Sequence, residues 1–244
     1  MADLLEKYKQ AKSRLILLDY DGTLVGFNSV PENAVPSSEL LEILRKIATI
    51  PHTKLIIISG RNQEDIERFI GELPIDIIAE HGAVLKKQGK WQKQNIDISL
   101  WKVPVLKELN EIALSCSGSF VEEKTFSLAW HYRNAETGYI QSRRLIENLE
   151  KLSSSCNFKI LDGNKVVEIK SNEIGKGKAA KDTIAKDKYD FILSIGDDKT
   201  DEEMFEFFLS YPEAITIKVG KGNTMAKYIL ENVDSVIKLL KRLL

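Results

Sequence analysis

Asp19 and Asp21 stand one residue apart where the apolar run Leu15-Ile16-Leu17-Leu18 ends, and the turn glycine Gly22 follows them. Carboxylates in such a place can attack a substrate, hold a metal or pass a proton. Two more apolar runs end in polar residues. Lys54-Leu55-Ile56-Ile57-Ile58 meets Ser59-Gly60-Arg61, and Phe191-Ile192-Leu193-Ser194-Ile195 meets Gly196-Asp197-Asp198. In open α/β sheets the reactive groups gather beyond the carboxyl ends of parallel strands. A single Asp–Gly turn after a strand is ordinary. Three polar strand ends together predict a shared crevice.

A phosphate monoester lying over that crevice accounts for the residue types. Its dianion repels a carboxylate, so Asp19 can reach phosphorus only with a cation between them. Asp19 and Asp197 offer hard oxygen ligands of the kind Mg²⁺ takes. Ser59, the amides around Gly60, and Lys176 would hold the remaining phosphoryl oxygens in line. Asp21 would protonate the leaving alkoxide and later take a proton from water. Plainer readings stand beside these: Ser59 can be a helix N-cap and nothing more, Lys176 a surface lysine, and His81 a structural hydrogen-bonding group.

The elements that must position these residues follow from hydrophobic spacing. A short helix over Asp3 to Lys12 leads into the first strand, and Leu40, Leu41, Leu44 and Ile47 mark one face of a helix after Pro36-Ser37-Ser38-Glu39. Ile66, Phe69 and Ile70 mark the next helix, Ile75 to Ala79 a strand, and Ala83 to Trp91 a hairpin turning at Gln88-Gly89. Near Asn95 to Leu100 the rhythm changes to helix, strand run (Ser119 to Trp130), helix (Thr137 to Leu152) and two short strands, Phe158 to Leu161 and Lys165 to Ile169. That pattern predicts a small α+β domain over residues 99–171 inserted into an α/β core made of 1–98 and 172–244. Its charged residues Glu122, Lys124, His131, Arg133, Lys165 and Glu168 line either a binding face or a solvated sheet. Asn172 to Lys178 returns the chain to the core, followed by helix Ala179 to Ala185, a helix from Glu202, strand Ala214 to Val219 and a closing helix from Thr224.

Composition narrows the partners. With 43% hydrophobic and 29% charged residues, and 35 basic against 36 acidic, the chain has material for a core and no overall electrostatic bias. No nucleic-acid partner is expected, because the basic stretches around Lys86 to Lys93 and Lys238 to Arg242 are short and interrupted. Cys116 and Cys156 are the only cysteines and form no CxxC, which points away from a zinc site or a disulfide framework. The polar segment Met1 to Ser13, and the lack of any apolar run near 18 residues, predict a cytoplasmic protein with no membrane partner.

Asp19-Tyr20-Asp21-Gly22-Thr23, Ser59-Gly60-Arg61, Lys176-Gly177 and Gly196-Asp197-Asp198-x-Thr200-Asp201-Glu202 resemble, in order and spacing, the four motifs of the haloacid-dehalogenase (HAD) superfamily. Within it the chain is similar to trehalose-6-phosphate phosphatases through Ala79-Glu80-His81-Gly82, the stretch Val121 to Arg133, and Asp197 to Phe205. The resemblance runs from about Leu15 to about Lys227. It implies a Rossmann-like core with a parallel sheet, an α+β cap of the C2 type between the second and third motifs, Mg²⁺, and hydrolysis of trehalose 6-phosphate. By the same resemblance Asp19 is the nucleophile, Asp21 the acid/base that also offers its backbone carbonyl to the metal, and Asp197 the third protein ligand. Ser59, Gly60 and Lys176 would hold phosphate; Arg61, Glu122, Lys124, His131, Lys165 and Glu168 would face the sugar; Asp198 and Asp201 would support the ligands from behind. Val84, Leu85 and Lys86 depart from the family, which often has an aromatic residue and an arginine there. With no glucosyltransferase domain ahead of it, the chain is expected to be a stand-alone form, its partners a small sugar phosphate and a separate trehalose-6-phosphate synthase. A phosphatase for sucrose 6-phosphate or a glycosyl-phosphoglycerate, a phosphomutase and a non-catalytic sensor are the rival readings.

Overall fold

The computed structural model describes residues 2–28, 30–153, 156–185 and 187–244. In chain order the elements are α1 (Ala2–Gln10), β1 (Arg14–Asp19), α2 (Ser38–Ala48), β2 (Thr53–Ile58), α3 (Gln63–Ile70), β3 (Asp76–Ala79), β4 (Val84–Lys87) and β5 (Lys90–Lys93). Next come α4 (Ser99–Ser115), β6 (Phe120–Glu123), β7 (Ser127–His131), α5 (Gly138–Ser153), β8 (Phe158–Gly163) and β9 (Val166–Ser171). The chain closes with α6 (Lys176–Ile184), β10 (Phe191–Gly196), α7 (Lys199–Phe208), β11 (Ala214–Val219), β12 (Tyr228–Leu230) and α8 (Val233–Lys241). They form two compact units, one from Met1–Lys93 with Gly175–Leu244 and one from Gln94–Ile174.

The first unit is built on an eight-stranded sheet of order β12-β11-β10-β1-β2-β3-β4-β5. It is parallel from β12 to β3, and the β4–β5 hairpin adds two antiparallel strands at the edge. Strand β1 lies between β10 and β2, with Asp19 opposite Ile58 and Leu18 opposite Ile195. This register brings Asp19, Ser59 and Asp197 to the same end of the sheet. Leu15, Ile16, Leu17 and Leu18 are fully buried. At roughly 1.5–3 kcal/mol each, their burial offsets the desolvation of the carboxylate that ends the strand. Helices α6 and α7 pack Ala179, Ala180, Met204, Phe205 and Phe208 against Leu15, Leu17 and Ile192.

The second unit is a four-stranded antiparallel sheet of order β6-β7-β9-β8. Trp101, Val105 and Leu109 of α4 and Leu145 and Leu149 of α5 form one core with Leu128, Trp130, Val167 and Ile169. Strand alternation then puts Glu122, His131 and Glu168 on the opposite face. The strand expected over Ser119 to Trp130 is in fact a hairpin, β6 and β7, closed where the Lys124 amide donates to the Ser127 carbonyl at 3.0 Å.

The expected closing helix from Thr224 is not formed. Tyr228–Leu230 pairs with β11 instead, and the last helix starts at Val233, capped by the Asn232 side chain accepting from the Ser235 amide. Two other helices begin earlier than expected, at Lys176 and Lys199, because Gly175 and Asp198 are the N-cap residues. Among the described residues no helix is long and apolar enough to cross a membrane.

Candidate active site

Asp19, at the carboxyl end of β1, is buried. Its Oδ1 accepts from Lys176 Nζ at 2.7 Å, and the same ammonium reaches Asp201 Oδ1 at 2.8 Å. Lys176 is only 2% exposed, so this is a buried ion triad and not the surface lysine of the plainer reading. Helix α6 sets it there by carrying Lys176 in its first turn. Burial pushes the Asp19 carboxyl up to about 8; Lys176 opposes the rise, and Asp197 and Asp198 add to it. Burial alone would lower the Lys176 ammonium, yet Asp19, Asp201 and Asp198 hold it well above the ordinary lysine value.

One carboxylate oxygen from each of Asp19, Asp197 and Asp201 lies within 4.8 Å of the other two. Asp197 follows β10, and its carboxylate lies against Gly22. Gly22 has φ +80, and a Cβ there would overlap the Asp197 carboxylate, so the turn after Asp21 requires glycine for both conformation and space. Burial, then Asp198 and Asp201, push the Asp197 carboxyl up to about 7. Asp201 braces the loop, its Oδ2 accepting from the amides of Asp197 at 2.9 Å and Asp198 at 3.1 Å. The sequence reading did not anticipate that it also turns an oxygen toward the cluster. Asp198 caps α7 through Thr200 and Asp201. Burial raises its carboxyl, but Lys176 and the hydrogen bonds of Thr200 and Asp201 outweigh that and hold it far below the ordinary value.

These donors fit a small divalent cation. All are hard carboxylate oxygens, and Asp19 Oδ2 is buried with no hydrogen-bond partner among the described residues. Asp19, Asp197, Asp198 and Asp201 outnumber the ammonium groups beside them, Lys176 and Lys218, by a margin one divalent ion would balance.

The Asp21 carboxylate is not in this cluster. Arg61 grips it through Nε to Oδ2 and Nη2 to Oδ1, both at 2.7 Å. The resemblance assigns Arg61 to the sugar, and here its guanidinium is committed on one side to Asp21 and to the Pro31 carbonyl. It lies 5.3 Å from the Tyr20 ring centre and 5.0 Å from that of Phe69. Its Nη1 bonds to none of the described residues.

Ser59 is buried, and its Oγ accepts from the Arg61 amide at 3.1 Å. It is not the helix N-cap, because Asn62 takes that place on α3. The Ser59–Arg61 loop is clamped from β3: the His81 amide donates to the Ser59 carbonyl and the Glu80 amide to the Arg61 carbonyl, both at 2.9 Å. The His81 ring lies so close to Gly60 that a Cβ there would be 2.5 Å from Nε2. Glu80 and His81 adopt left-handed φ of 45° and 55°, a cost of about 1–2 kcal/mol per residue that this clamp sustains.

In the second unit, Lys124 Nζ lies 3.3 Å from Glu168 Oε1 and 4.0 Å from Glu122 Oε1. His131 Nε2 is 2.8 Å from Glu122 Oε2, and Phe120 stacks on the imidazole at 4.7 Å. Burial raises the Glu122 carboxyl, but the His131 bond and Lys124 together hold it below the ordinary value. Glu123 points to the other face and pairs with Lys102 at 2.9 Å. Lys165 stands outside this cluster, exposed in the β8–β9 turn with a left-handed φ of 65°. Arg133 is likewise committed elsewhere, to the Asn164 carbonyl at 2.9 Å.

Residues 17–234 match the trehalose-phosphatase family. The chain belongs to that family. It is 38% identical, over 97% of its length and 32% of the relative's, to a bifunctional trehalose-6-phosphate synthase/phosphatase of Thermoproteus tenax. The C-terminal domain of the trehalose-6-phosphate phosphatase of C. albicans superposes with a TM-score of 0.93 at 28% identity, covering 99% of this chain and 95% of that one. A haloacid dehalogenase-like hydrolase from Bacteroides thetaiotaomicron, 17% identical, shares the fold with a TM-score of 0.70 over 96% of this chain and all of its own. The fold is thus that of the HAD hydrolases, as the four motifs imply. This member of the trehalose-phosphatase family spans about a quarter to a third of the length of the curated relatives it matches.

Proposed function

We propose that this chain is a Mg²⁺-dependent phosphatase that hydrolyses trehalose 6-phosphate through an aspartyl-phosphate on Asp19. The observation that carries this reading is the state of the Asp19 carboxylate: one oxygen is held by Lys176 and the other is buried without a partner among the described residues. A carboxylate fixed in direction, with only one oxygen hydrogen-bonded, keeps lone pairs for both a cation and the attack on phosphorus. Asp19, Asp197 and the backbone carbonyl of Asp21 would hold Mg²⁺, with Asp201 behind them. The chemistry a bound Mg²⁺ supplies is withdrawal of charge from the carboxylate and phosphoryl oxygens.

In this mechanism an Asp19 oxygen bonds to phosphorus as the bond from phosphorus to the sugar oxygen breaks. Asp21 enters the step protonated and gives its proton to that oxygen, and the Arg61 fork receives the carboxylate that results. Water then attacks the same phosphorus, Asp21 takes the water's proton, and the Asp19 carboxylate is released with inorganic phosphate. Ser59, the Gly60 amide and Lys176 hold phosphoryl oxygens, while Arg61 orients Asp21 and keeps Nη1 for a sugar hydroxyl. We assign reading of the sugar to Glu122, Lys124 and Glu168, with His131 steadying Glu122 and Lys165 at the margin. The compartment we propose is the cytoplasm, and the partner an enzyme of the synthase class named for the Thermoproteus relative.

A phosphate-release screen over disaccharide and monosaccharide phosphates, with and without Mg²⁺, tests the proposal. Trehalose 6-phosphate should be the preferred ester, and release should stop on chelation. Preference for sucrose 6-phosphate, or turnover only with an activating bisphosphate, would replace it with a rival.

A further inference from the structure

Strand β11 reads Ala-Ile-Thr-Ile-Lys-Val and is buried along its whole length, so the lysine near its end breaks an otherwise packing pattern. Lys218 is 6% exposed. Its ammonium donates to the main-chain carbonyls of Asp197 and, at 3.4 Å, Val219, and it forms no ion pair with a carboxylate among the described residues. Burying an ammonium on carbonyl partners is expensive, and a residue needed only for packing there would be Val or Ile. The register explains its reach: Lys218 pairs with Gly196, immediately before Asp197.

We infer that Lys218 is a positioning residue of the metal centre, aiming the Asp197 carboxylate by gripping the Asp197 carbonyl; this rests on the reading of the acidic cluster as a Mg²⁺ site. Asp197 is held at three points. Asp201 Oδ2 takes its amide at 2.9 Å, Lys218 takes its carbonyl, and its carboxylate lies against the Cα of Gly22. The rotation of both flanking peptides is thereby restricted, and with it the direction of Cβ. Where the carboxylates are already ionised, a positive charge by itself would weaken the site, because a cation beside a cation site repels the incoming ion.

That difference in sign makes the role measurable by titrating Mg²⁺ into the protein in a calorimeter. Lys218→Met removes both donor and charge, while Lys218→Gln keeps a donor and removes the charge. If Lys218 positions Asp197, the Met variant should bind Mg²⁺ about tenfold or more weakly, in the range known for residues behind metal ligands. The Gln variant should stay within about threefold of wild type or bind more tightly. A folded Met variant binding as tightly as wild type, or more tightly, overturns the inference. Should the Met variant fail to fold, the Gln variant decides: a loss of about tenfold there overturns it, and retained affinity supports it. Absence of Mg²⁺ binding by the wild-type protein would instead refute the metal reading.

Discussion

Arg61 and Asp21 face each other through two parallel hydrogen bonds of 2.7 Å each, a fork on a carboxylate, with the guanidinium also near two aromatic rings. Such a pair fixes where the acid's oxygens point, which a point charge on a flexible stem cannot do. Arg61→Lys should therefore impair proton delivery to the leaving group by about 10- to 100-fold, a part of the roughly 10²–10⁴-fold that general acid catalysis is usually worth. Aryl phosphates of similar size but different leaving-group acidity separate this from lost binding. The variant's rates should depend more steeply on leaving-group pKa than wild type's. Parallel dependences would mean that Arg61 does not act through Asp21.

Asp19→Asn should abolish turnover, since an amide is a poor nucleophile and a poorer metal ligand. It also removes the charge that Lys176 answers. A variant within about tenfold of wild type, a loss of only about 1.4 kcal/mol in barrier, would exclude Asp19 as the nucleophile.

Burial raises Asp19 to about 8 and Asp197 to about 7, whereas in the unfolded chain both titrate near the ordinary aspartate value of 3.8. Between about pH 4 and 8 the folded metal-free protein binds more protons than the unfolded chain, so its stability should fall as pH rises. Mg²⁺ takes the deprotonated carboxylates and competes with those protons. Its stabilising effect should grow from about pH 5.5 to 8 and level off above that, up to pH 8.5. Thermal melts with and without Mg²⁺ across that range check this. A pH-independent Mg²⁺ effect would show that these two carboxyls do not bind it.

Much of the core was legible because local pattern and global fold agree in it. Strands β1 and β2 carry unbroken apolar runs with polar ends, β10 carries one broken only by Ser194, and Gln88-Gly89 turns the hairpin as expected, both at positive φ. What escaped were pairings between distant positions. Nothing local to Lys218 says that it meets Asp197, and Arg61 and Asp21 are 40 residues apart. The error after Thr224 has a different source. Tyr228-Ile229-Leu230 is too short to show a period, and only pairing with β11 makes it a strand. Lys218 did carry a signal, a charge closing a strand that is otherwise buried, and it marks where local consistency gives way to a site.

On β6 the residues alternate, with Val121 packed toward the core of its unit and Glu123 on the same side, paired to Lys102. Glu122 therefore lies on the other face, where Lys124 stands between it and Glu168 and His131 steadies it. Two carboxylates around one ammonium present alternating acceptors and donors, a spacing suited to vicinal hydroxyls of a sugar. Contacts of this kind, remote from phosphorus, improve kcat/KM only for substrates that carry the sugar. Glu122→Ala and Lys124→Ala should each lower kcat/KM for trehalose 6-phosphate by about 2–4 kcal/mol, the scale of a charged hydrogen bond lost on binding. Turnover of a small aryl phosphate should change far less, and Glu123→Ala should leave both substrates nearly unaffected. Kinetics of the three variants on both esters decide the matter. Equal losses on the large and small esters, or a Glu123→Ala variant as damaged as the others, would remove this cluster from substrate recognition.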